Sequence, residues 1–152
     1  MAAKRRIRWI ETLGPAANAR RHLPALVAAY AAWGRRLMEG RPGADQWHAL
    51  RLRTKRVRYT LELFAPCYGP GLDARLALLR GIQQRLGEIN DCASTRALVE
   101  PAPVPRVARY LNTRQARAAG QVRRLWRAAF EAPGRDLWWE GYLKRARAPA
   151  TR

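Results

Sequence analysis

Proline and glycine cluster at Gly14-Pro15, Gly40 to Gly43, Pro66 to Gly71, Pro101 to Pro105 and Pro133-Gly134. Every stretch between these breaks has the length of a helix. Apolar residues return at helical spacing within them, as in Leu26, Tyr30, Trp33 and Leu37, or Val107, Leu111, Ala118, Val122, Leu125 and Ala129. No stretch alternates with the period of a strand. The pattern predicts an all-α chain, a four-helix bundle with long helices and a short C-terminal helix. The long helices fall at about residues 16–38, 45–65, 72–99 and 104–131, the short one at about 136–146. A chain of 152 residues, 48% of them hydrophobic, suits one core, so residues 1–152 read as a single domain.

Several local features refine this parse. Pro24 is expected to confine regular helix to the residues after it. Asp45 is placed to cap the second helix. Gly87 either bends the third helix or lets a neighbour or ligand approach closely. Trp138, Trp139 and Tyr142 are expected to pack the short tail helix across the bundle as a lid.

Charge narrows the partners. The formal net charge is +19, the isoelectric point is near 11.6, and residues 101–130 contain no acid. Such an imbalance opposes compaction and favours a polyanion: nucleic acid, polyphosphate or an anionic membrane surface. With lysine only at Lys4, Lys55 and Lys144, a bias toward arginine codons would explain Arg over Lys, but not the scarcity of Asp and Glu. Cys67 and Cys92 form no CxxC and suggest neither a disulfide framework nor a zinc site. The basic N-terminus, Met1 to Arg8, leads into no unbroken apolar run. The expectation is a soluble, cytoplasmic protein without membrane insertion.

The second helix carries the functional argument. His48, Arg51, Lys55, Arg58 and Glu62 follow one another at three and four residues and share an arc of about 80°. At 1.5 Å per residue the stripe covers about 21 Å, a length that suits a linear chain of phosphates better than one small anion. Guanidinium forks grip phosphate oxygens in two places, and Lys55 adds a point charge. Leu50, Val57, Leu61 and Phe64 lie opposite, while Leu52, Tyr59 and Leu63 form a second apolar strip. A helix apolar on two sides is expected to be wedged into the bundle, with its basic stripe lining a groove. In the fourth helix Arg106, Arg109, Arg117, Arg124 and Arg127 form a similar stripe, and two such rails facing one ligand are expected. A solvated face that keeps the protein soluble is the competing explanation for each stripe.

His48 reads as a phosphate donor, in neutral or protonated form; no second His at i+4, nearby Cys or carboxylate cluster supports a metal. Glu62, among cations, reads as the group orienting Arg58 rather than as a base. An enzyme cleaving polyphosphate would need converging metal-binding carboxylates, and no paired acidic motif is present. A nucleic-acid-binding bundle, with Trp126, Trp138 and Trp139 stacking on bases, is the alternative function.

Residues 47–64, WHALRLRTKRVRYTLELF, followed by residues 82–91, IQQRLGEIND, closely resemble the CHAD family, the conserved histidine α-helical domain. Both motifs stand in the family's order and spacing across about 45 residues; elsewhere the likeness is one of helical layout. The resemblance implies noncatalytic binding of inorganic polyphosphate through a basic channel, with no cofactor, and association with polyphosphate-related enzymes or polymer granules. It makes His48, Arg51, Lys55 and Arg58 phosphate contacts, Arg56 and Tyr59 supporting positions, and Gln83 and Asp91 buried hydrogen-bonding groups near the channel. Family members usually contain two four-helix halves, whereas this chain carries one His-containing motif. A homodimer that rebuilds the two-half channel is therefore expected, with a lone half and a shallow groove as its rival.

Overall fold

A computed structural model describes residues 7–149; the basic stretch at 1–6 and residues 150–152 lie outside the described residues. The described chain is all-α. Its helices are α1 (Pro15–Glu39), α2 (Ala44–Leu63), α3 (Gly71–Val99), α4 (Pro105–Trp126) and α5 (Arg135–Leu143), with a 3-10 turn at Ala65–Cys67 and a π-helical turn at Arg127–Glu131. Pro15 and Pro105 stand in the first turns of α1 and α4, where a missing N–H costs nothing. Gly134, at φ 77°, takes the left-handed conformation that starts α5.

Two sequence expectations, at Pro24 and Asp45, are corrected at this level. α1 runs through Pro24 without ending. The ring removes one backbone hydrogen bond, but Leu23 and Val27 on either side are buried, and their packing keeps the helix together. α3 is unbroken at Gly87. Asp45 lies in the first turn of α2, where its charge suits the positive helix end, while Gln46 accepts a 2.9 Å hydrogen bond from the Gly43 backbone N–H.

α3 is the central element of the basic side. It packs against both α2 and α4, which make no comparable contact with each other, and α1 packs against α2 and α5. The core draws on Leu23, Val27 and Tyr30 of α1, Leu50, Val57 and Leu61 of α2, Leu79, Ile82 and Leu86 of α3, and Val122 and Trp126 of α4. Between α1 and α2, Tyr30 Oη and Thr54 Oγ1 are 2.7 Å apart, and Thr54 also bonds the Leu50 carbonyl at 2.8 Å. Burial pushes the Tyr30 hydroxyl pKa well above its ordinary value, so it stays a neutral hydrogen-bonding group. α5 crosses the bundle end: Trp139 Nε1 donates to the Ala129 carbonyl at 2.9 Å, and Tyr142 Oη to the Gly69 carbonyl at 2.8 Å.

Candidate functional site: the groove between α2 and α3

Trp47, Leu50, Thr54, Val57 and Leu61 form the buried side of α2. The helical period then directs His48, Arg51, Arg58 and Glu62 toward α3. On α3, Arg80, Gln83, Gly87 and Asn90 recur at three and four residues and form the facing wall. Between the two lies a cleft of about 460 Å³ lined by Arg51, Arg58, Arg80, Gln83, Gln84 and Gly87. A Cβ built on Gly87 would meet no protein atom within 4 Å, so the glycine leaves room in the cleft rather than admitting a neighbouring helix.

The cations of this cleft are held by polar groups. Arg58 donates from Nε to Gln83 Oε1 at 2.9 Å and from Nη1 to Glu62 Oε1 at 2.7 Å. Arg80 donates to the same Glu62 oxygen at 2.9 Å from Nη2. One carboxylate thus orients two guanidiniums and leaves a net positive charge behind. Lys55 is exposed, its Nζ 5.6 Å from the Tyr59 ring centroid, and the Arg58 guanidinium lies 4.2 Å from the same ring. Tyr59 therefore braces both cations through its π-face. Arg56 is exposed, on the part of α2 turned away from α3.

His48 Nδ1 lies 2.9 Å from Asn90 Oδ1. A carbonyl oxygen only accepts, so the proton of a neutral ring sits on Nδ1 and Nε2 carries a lone pair. Asn90 thereby fixes which nitrogen carries the proton of a neutral imidazole and how the ring is turned at the end of the stripe.

Several expected placements differ. Asp91 is exposed rather than buried: it lies about 80° around α3 from Gln83, whereas Asn90 is only about 20° away. The strip Leu52, Tyr59 and Leu63 is open to solvent at 50%, 49% and 71%, so α2 is not wedged on that side; α1 and α3 cover the rest of it. Arg106, Arg109, Arg124 and Arg127 are exposed on α4 and its continuation; Arg117 lines a cleft shared with α3, and Arg127 a different one, against α1 beside Glu39 and Glu131. Because α3 stands between α2 and α4, the two arginine rails do not enclose one groove. Trp126 and Trp139 are buried, and Trp138 is stacked on Tyr142 with ring centroids 4.6 Å apart, so none of the three offers a free face to a base. Arg80 and Asn90 were missed, although the three-and-four spacing that singled out the α2 stripe marks them on α3.

A larger cleft, about 520 Å³ between α1 and α5, is lined mainly by small apolar residues and carries Asp136 and Glu140 against a single arginine, which does not suit an anion. No group of three or more His, Cys, Asp or Glu converges as metal ligands among the described residues. No described helix is long and apolar enough to cross a membrane.

Comparison with known proteins finds no matching curated relative and no matching solved structure. The CHAD domain family matches residues 3–100, a span that includes α1, α2 and α3 and the whole α2/α3 groove. That family is associated in general with polyphosphate binding and is not a recognised catalytic one. With more than half of its length matched, the chain belongs to the CHAD domain family.

Proposed function

We propose that the chain binds inorganic polyphosphate, without catalysis, in the groove between α2 and α3. The observation that carries the reading is the cleft wall that gathers Arg51, Arg58 and Arg80, where Arg58 and Arg80 share the single carboxylate of Glu62. Lys55 extends the positive stripe along α2, and His48 stands at its end, so that successive phosphates meet successive polar groups. Arg56 and Tyr59 support the stripe, while Arg106, Arg109 and Arg124 raise the positive field around it. Glu62 has its oxygen engaged by two arginines, which suits an orienting role better than proton transfer. A nucleic acid would meet the same cations through its phosphates, but without the stacking that buried indoles deny it.

The reading is tested by titrating the chain with long-chain polyphosphate, with helicity as the folding control. Arg51→Gln with Lys55→Gln removes two charge-assisted contacts of about 1.5 kcal/mol each, a loss of about a hundredfold in affinity. Unchanged affinity in a helical double variant would overturn the site.

We also propose that two chains pair, supported by the exposed apolar strip of Leu52, Tyr59 and Leu63 beside the groove. Light scattering should give the mass of a dimer when polyphosphate is present, and a monomer under all conditions would rule the pairing out. In the cell we expect a cytoplasmic protein that joins polyphosphate granules through bound polymer. A distribution unaffected by digesting the polymer would contradict that.

A further inference from the structure

On the far side of α3 from the groove, a second cleft of about 480 Å³ opens against α4. Arg85 and Glu88 line it from α3, and Tyr110, Thr113, Arg114 and Arg117 from α4. Its charges do not cancel. Glu88 is taken by Arg85, and Arg114 Nη1 donates to the neutral Tyr110 hydroxyl at 3.4 Å. Neither Arg114 nor Arg117 has a carboxylate partner among the described residues, and no acid occurs anywhere from residue 101 to 130 to supply one. Three guanidiniums with one carboxylate leave an excess of two positive charges in a concave site, with the hydroxyls of Thr113 and Tyr110 as neutral donors. These donors suit the oxygens of a phosphate chain, whose charge they match without needing a metal.

We propose that the α3/α4 cleft is a second, separate phosphate-polymer site, so that one chain holds polyanion on both flanks of α3. The inference rests on the polyphosphate reading of the ligand but not on the α2/α3 groove itself. The two clefts share no lining residue, and α3 separates them. A long polymer engages both, whereas a short one occupies either.

Tripolyphosphate is the discriminating probe, titrated calorimetrically at low salt. Wild-type protein should take up two per chain. Arg114→Gln with Arg117→Gln, both at exposed positions and therefore compatible with folding, should reduce this to one. Arg51→Gln with Lys55→Gln should also leave one, and the four changes together none. A wild-type stoichiometry of one, or an Arg114/Arg117 variant that still binds two with unchanged affinity, overturns the second site. If only that pair is silent while the Arg51/Lys55 pair abolishes uptake, the second site falls and the groove stands. If wild-type protein takes up no tripolyphosphate and no long polymer either, both readings fall.

Discussion

Gly34 and Gly87 are both helical glycines facing a neighbouring helix, yet they mark opposite kinds of space. A Cβ on Gly34 would collide with the ring of Trp126, which is fully buried beside Tyr30 and Phe130. At Gly87 the same Cβ would meet nothing. The missing side chain is used at Gly34 by the protein's own core. At Gly87 it is left as volume in a cleft surrounded by Arg51, Arg58 and Arg80. Close-packed interiors leave few such gaps, and a gap walled by cations is one that an anion fills at little cost in packing. A glycine within a helix therefore points to core or to ligand according to what its absent Cβ would touch.

The contrast can be broken by substitution. Gly34→Ala should have the largest effect, about 3 kcal/mol of lost stability from overpacking against an indole that cannot move, read as a melting temperature several degrees lower. Thr54→Val tests the same interior without adding bulk. It leaves the Tyr30 hydroxyl buried and unpaired on that side, a loss of about 2 kcal/mol in denaturant unfolding. Gly87→Ala should behave in the opposite way, raising stability by about 0.5–1 kcal/mol by removing the helical penalty of glycine. Polyphosphate affinity should fall in the same variant, since the methyl occupies cleft volume; a fall in stability there would refute the open-space description. The smallest effect concerns His48. Because Asn90 holds the ring through Nδ1 at the end of the stripe, replacing His48 by Gln should weaken binding of long polyphosphate only a few-fold, read by the same titration.

Much of this arrangement was legible in the sequence because it follows from helical period alone. Proline and glycine punctuation marked the helices, and the spacing of His48, Arg51, Arg58 and Glu62 put them on one face. What period alone does not give is which side of a helix its neighbours cover. Leu52, Tyr59 and Leu63 have the spacing of a buried strip, but among the described helices α1 and α3 are the main neighbours of α2, and that side stays open. The same limit separated the two arginine rails: nothing in the spacing of Arg106, Arg109, Arg117 and Arg124 reveals that α3 lies between α4 and α2. Asp91 and Asn90 are adjacent in sequence, yet one turns to solvent and the other to His48, a difference decided by a single 100° step. Arg80 was the avoidable omission, since the arithmetic applied to α2 finds it on α3.

On the proposed reading, the α2/α3 groove recognises a bare chain of phosphates rather than any polyanion. Competition at physiological salt tests it most directly: long-chain polyphosphate and double- or single-stranded DNA are offered together, and the bound species is read for wild type and for the Arg51/Lys55 variant. Polyphosphate should displace DNA by a clear margin, and the variant should lose this preference. DNA binding as tightly as polyphosphate, with no change in the variant, would contradict that reading and leave a basic helical bundle without selectivity.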